Sequence, residues 1–157
     1  MGGWLLPPRA KVYEAFSAVA DGRVHVSGPG TAEVVSSGGD RTYTVEWTDD
    51  VAAVTSNDNA SYWQGYLGYP IVAVLLTLGR LTADEAVVRA FAGVPWHDLN
   101  ARFKRDYDAV VEHVLATLGG HGPARAHIVA EVDQVMAGLE ALDLQRPGRG
   151  RRPPRRA

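Results

Sequence analysis

Apolar residues first recur at three- and four-residue steps. Val12, Tyr13, Phe16 and Val19 mark one side of an amphipathic helix over residues 8–20, which Asp21-Gly22 ends. The period then shortens to two. Residues 23–27 alternate polar and apolar, residues 32–36 form a second short strand, and residues 41–47 are the clearest strand, with Tyr43, Val45 and Trp47 on one face. A fourth strand follows over residues 51–55. The turns between them are Gly28-Pro29-Gly30, Gly38-Gly39-Asp40 and Thr48-Asp49-Asp50, short enough for an antiparallel meander.

Residues 56–69 break both patterns. They are polar, then aromatic and glycine-rich, and read as a loop or irregular turn. Pro70 suits the first turn of a helix, which the aliphatic run carries to Gly79. Thr82 and Glu85 have the spacing of a capping box and predict a helix to Ala92. From Pro95 a longer helix is expected, with Leu99, Phe103, Val110, Val114 and Leu118 as its stripe and Tyr107 joining them. After the break at residues 119–123, Ile128, Val132, Val135, Leu139 and Leu142 form a heptad-like seam. The expected class is α+β: an N-terminal helix, a four-stranded antiparallel sheet, then a helical C-terminal half with an antiparallel helix pair.

Length and composition set the scale. The 157 residues, 46% hydrophobic and 22% charged, suit one globular domain over residues 1–145 and a tail over residues 146–157. The chain has no cysteine, which excludes disulfides, thiol nucleophiles, cysteine-ligated zinc and iron–sulfur clusters, and fits the cytoplasm. The longest apolar run, residues 69–78, is half what a membrane-spanning helix needs, so no membrane partner is expected. The start of the chain has neither the positive region nor the apolar length of a signal peptide. The net charge of −2 hides a split: residues 1–145 hold 10 basic and 18 acidic side chains, and the tail adds six arginines and no acid. Rich in Pro, Gly and Arg, the tail is expected to be disordered.

The order of signals over residues 11–81 resembles the SWIM-type zinc-finger module. Gly22-Arg23-Val24 matches its strand start, Tyr43-Thr44-Val45 its strand core, and Ile71-Val72-Ala73-Val74-Leu75-Leu76 its closing helix. The family's ligand pairs would fall near Ser56 and Asp58 and at Gly68 and Pro70, so all four metal ligands are replaced and no cofactor is expected. The resemblance implies a metal-free module, with the loop's aromatic residues taking over the cross-linking. It also implies binding of nucleic acid or protein.

The loop is the most unusual stretch. Asn57, Asn59, Tyr62, Trp63, Gln64, Tyr66 and Tyr69 would make a stacking and hydrogen-bonding surface, or else would pack the sheet against the next helix. Arg102 and Arg105 are expected to share a helix face, either as a basic patch or salt-bridged to nearby acids. In the tail, Arg149, Arg151 and Arg152 belong to a run that could neutralise phosphates, stay solvated, or be held by the acidic body. The five histidines show no metal spacing, and no serine elbow, phosphate loop or dinucleotide fingerprint is present. The reading is a non-catalytic binding module contacting nucleic acid or protein through the aromatic loop and the tail. The alternative is a scaffold subunit acting through its C-terminal helices, with Leu139, Leu142 and Leu144 extending a seam to another chain. An unrecognised enzyme ranks last.

Overall fold

Helix α1 (Ala10–Ala20) is enclosed on nearly every side: every residue from Ala10 to Ala18 is buried, including Lys11, Glu14 and Ser17. A computed structural model, which describes residues 3–48 and 50–154, places this helix between two layers. On one side lies α2 (Tyr69–Thr77), in which Pro70 to Leu75 are all buried. An apolar helix of this kind has no polar face to give to water, so it must be interior. It contacts all four strands on one flank and α1 on the other. On α1's far side pack α3 (Glu85–Ala90), α5 (Tyr107–Leu118) and α6 (Arg125–Leu142).

The sheet has the expected antiparallel order: β1 (Val24–Gly28), β2 (Thr31–Val35), β3 (Thr42–Trp47) and β4 (Val54–Ser56). Its register pairs Ala32 with Val45 and Val34 with Tyr43, and these four side chains form the buried face. Gly30 is required at the β2 entry. Its φ is +77°, and a Cβ there would lie 2.7 Å from the Trp47 carbonyl oxygen. The fold is thus α+β, with a helix, a four-stranded antiparallel sheet, and helices through the C-terminal half.

Several elements differ from their sequence pattern. β1 is an edge strand, and Val26 on it is 49% exposed because nothing packs there. Asp49, in the expected third turn, lies outside the described residues. The α3 cap is Asp84, whose side chain accepts from Ala86 N at 2.9 Å, in place of Thr82. The long helix expected from Pro95 is two: α4 (Trp96–Arg102) ends, Lys104 and Arg105 take left-handed φ of 54° and 62°, and Asp106 caps α5. Arg102 and Arg105 therefore share no helix face. In the α6 seam Ile128, Val132, Val135 and Leu139 are buried against the rest of the chain, as is Leu144, while Leu142 is half-buried. An exposed ion pair, Arg125 with Glu112, bridges α6 and α5.

The described part of the tail, residues 146–154, lies along the body where disorder was expected. Gln145 bridges to Gly3 and to Ala53 beside β4. Arg146 donates to the carbonyls of Ser61 and Tyr62 at 3.1 and 3.3 Å and stacks over Trp4. Arg151 pairs with Glu46 at 3.2 Å. An acidic body and a cationic tail attract, and aromatic faces add to that attraction. Arg155 and Arg156 lie outside the described residues. No helix among the described residues is long and apolar enough to cross a membrane.

Candidate functional site

The aromatic loop owes its shape to a buried polar knot. Asp58 accepts from the Ser56 hydroxyl and from Ser61 N, while Ser61 Oγ accepts from Gly68 N at 3.0 Å. A Cβ at Gly68 would lie 2.1 Å from Asp58 Oδ2, so only glycine lets the chain close over this carboxylate. Between the two ends, Ala60–Gln64 forms a single π-helical turn that Gly65 ends with φ +74°. Such turns push side chains out of an ordinary helical row. Trp63 projects from it and is 58% exposed.

Beside this turn opens a cleft of about 740 Å³. One wall is aromatic, made of Trp63, Tyr66 and Tyr69 with Asn59 and Gln64 between them. A second part of the lining comes from α4 and the corner after it: Trp96, His97, Asn100, Arg105 and Tyr107. The end of the sheet adds Arg23, Ser36, Ser37, Arg41 and Tyr43, and α1 supplies the floor with Lys11 and Glu14.

Charge distinguishes this cleft from the rest of the body. Lys11 Nζ lies 2.9 Å from Glu14 Oε2 and 4.4 Å from the centre of the Tyr107 ring. Burial alone would lower the Lys11 amine, but the charge on Glu14, helped by Tyr66 and Tyr107, holds it above the usual lysine value. Asn100 Nδ2 donates to the other Glu14 oxygen at 3.3 Å. Arg23 is tied down, bonding Val35 O at 2.7 Å and Asp21 at 3.3 Å. Arg41 and Arg105 have no carboxylate in ion-pair reach among the described residues, and the Nε of Arg41 is enclosed without a hydrogen-bond partner. Glu14 is the one carboxylate in the lining and Lys11 neutralises it, and Arg23 is paired with Asp21, so Arg41 and Arg105 set the sign of the cleft. Burial pushes the phenols of Tyr43, Tyr66 and Tyr69 above their ordinary value, so all three remain hydrogen-bond donors at neutral pH.

Of the residues singled out in the sequence, Asn59, Trp63, Gln64, Tyr66, Tyr69 and Arg105 line the cleft together. Others stand elsewhere. Asn57 extends the sheet: its Oδ1 accepts from Thr44 N at 2.7 Å. Tyr62 is buried edge-on against Trp63, with ring centres 4.6 Å apart. Arg102 lies over the Phe103 ring. Arg149, Arg151 and Arg152 are outside the cleft, although Arg149 reaches the Trp63 ring from the tail. Sequence reasoning missed Lys11, Glu14, Arg23, Arg41, Trp96, His97, Asn100 and Tyr107. One signal was available for the first two: an oppositely charged i, i+3 pair in a helix with few other polar positions.

Among the described residues, Asp84, His127 and Glu131 gather three potential ligand atoms within 4.8 Å of one another. They already satisfy each other: His127 Nε2 lies 2.7 Å from Asp84 Oδ2, and Asp84 N donates to Glu131. Their work is to pin the start of α3 to α6.

The model of one protein family, described as "Uncharacterised conserved protein UCP014422", matches residues 4–145. The chain belongs to that family. The UCP014422 span contains every residue of the cleft and stops one residue before Arg146. No curated protein and no solved structure matches the chain.

Proposed function

We propose that this chain is a binding protein whose cleft takes a ligand joining a planar ring to an anionic group, the chemistry of a nucleotide unit. The observation that carries this reading is the juxtaposition of an aromatic wall with two arginines that lack carboxylate partners, in a body whose other charges are mostly acidic. Stacking on Trp63 or Tyr66 suits a base, and Arg41 and Arg105 suit a phosphate, which guanidinium groups bind through paired N–H donors. The volume lies in the usual range of about 300–1,000 Å³ for small-ligand sites. The amides of Asn59, Gln64 and Asn100 add polar contacts at the edges of the site. The knot of Ser56, Asp58 and Gly68 stands at the positions where a SWIM-type finger carries ligands, which supports reading residues 11–81 as a metal-free version of that module.

The test is a tryptophan-fluorescence titration with a nucleoside monophosphate, set against the nucleoside and inorganic phosphate alone. The monophosphate should bind more tightly than either part. Trp63→Ala and Arg41→Ala should each weaken it roughly tenfold, a loss of about 1.4 kcal/mol. Absence of saturable binding, or equal binding of phosphate by the wild type and Arg41→Ala, would overturn the reading.

A further inference from the structure

Resting on that reading, we infer that the ligand is a single-stranded nucleic acid, and that the tail continues the cleft as a second phosphate site. Trp63 carries the argument. It lines the cleft, it is 58% exposed, and it is also the ring that the tail reaches. The Arg149 guanidinium sits 5.8 Å from the Trp63 ring centre and 5.7 Å from that of Tyr62. An arginine stacked by its face keeps its N–H edge available for an anion. Among the described residues Arg149 has no carboxylate partner, and neither does exposed Arg152.

These cations are held in place beside the loop. Arg146 bonds two carbonyls of the π-turn, Gly150 rests against Thr55 of β4, and Arg151 pairs with Glu46 of β3. The tail therefore sets Arg149 next to Trp63, the one of its two aromatic neighbours that also lines the cleft. A base in the cleft, a second base on the exposed part of Trp63, and the next phosphate at Arg149 and Arg152 make a path for a strand. A mononucleotide fills only its first position. Bases that stack on side chains are unpaired, so the strand is single.

The experiment compares thymidine monophosphate with single-stranded oligothymidylates of increasing length on the full chain, by fluorescence anisotropy at several salt concentrations. Affinity should rise about tenfold or more from the monophosphate to the longer oligomers, the return from one added stacking base. The Arg149→Ala/Arg152→Ala variant changes only exposed side chains. It should bind the monophosphate as the wild type does, lose the length-dependent gain, and show a salt slope shallower by about 0.7 per lost phosphate contact. Affinity independent of length, or a gain that survives in the double variant, would overturn the strand inference while leaving the cleft reading intact. Failure of the monophosphate and every oligomer to bind would overturn both.

Discussion

Replacing Lys11 by methionine tests the floor of the cleft. The Lys11 and Glu14 side chains are 9% and 6% exposed and meet at 2.9 Å. Methionine keeps the volume but removes the positive charge, leaving the Glu14 carboxylate buried with Asn100 Nδ2 at 3.3 Å as its remaining donor. Breaking one side of a buried ion pair costs about 3–5 kcal/mol, against a total stability of about 5–15 kcal/mol for a domain. The melting temperature should fall by roughly 6–20 °C, at about 2–4 °C per kcal/mol for a chain of this size. Glu14→Leu should cost less, because the long lysine stem borders the cleft and can swing its ammonium group to water. The double variant Lys11→Met/Glu14→Leu should lie within about 1 kcal/mol of the wild type, since a neutral floor carries no uncompensated charge. Urea denaturation of the four proteins gives the coupling energy directly. If the single losses simply added in the double variant, the pair would not be acting as a pair. The pH dependence has a definite sign. The Lys11 amine is held above its ordinary value, so its stabilising effect is complete below the unfolded lysine pKa of about 10.4 and is lost as pH rises through the higher folded value.

Two further substitutions probe the loop and the corner. Gly68→Ala would drive a methyl group to 2.1 Å from Asp58 Oδ2 at a φ of ordinary sign, so the penalty is steric and should reach about 3 kcal/mol in urea denaturation; an unchanged midpoint would show that the knot yields freely. Arg105 holds a left-handed φ of 62° at the lip of the cleft, so Arg105→Gly should leave stability unchanged or raise it by up to about 1 kcal/mol while weakening nucleotide binding; a loss of both together would mean that the arginine serves packing.

What the sequence disclosed was local, and what it concealed was tertiary. The period-two strands and their glycine turns are properties of neighbouring residues, and the meander follows them in order. The burial of Tyr43 and Val45 on one face of β3 was visible for the same reason. Thr82 and Glu85 have capping-box spacing, but Asp84 N is drawn to Glu131 on α6, some 47 residues away, and the cap moves to Asp84. The stripe that ran Leu99, Phe103 and Val110 into one helix could not show that Lys104 and Arg105 turn left-handed between two shorter ones. Tyr107 has the spacing of that stripe, yet its ring packs against the Lys11 ammonium group. The candidate site divides in the same way. Its aromatic wall was legible as a cluster along the chain, whereas its cations, Lys11, Arg23, Arg41 and Arg105, come from four separate segments that only folding assembles.

The seam at the chain's two ends also bears on how the molecule comes apart. Gly3 pairs with Gln145, Trp4 donates to Val54 O at 3.2 Å, and Arg146 covers the Trp4 ring while bonding the π-turn. Each end has anchors of its own, Leu5 on Gly65 and Leu67, Gln145 on Ala52 and Val54, but the two meet at Trp4 and Arg146. Fraying of the first residues would uncover Arg146, and release of Arg146 would loosen the turn that carries Trp63. The two termini and the aromatic wall thus form one cooperative opening unit, in which amide hydrogens at Leu5, Val54 and Leu67 should exchange at a common rate, slower than that of a free end.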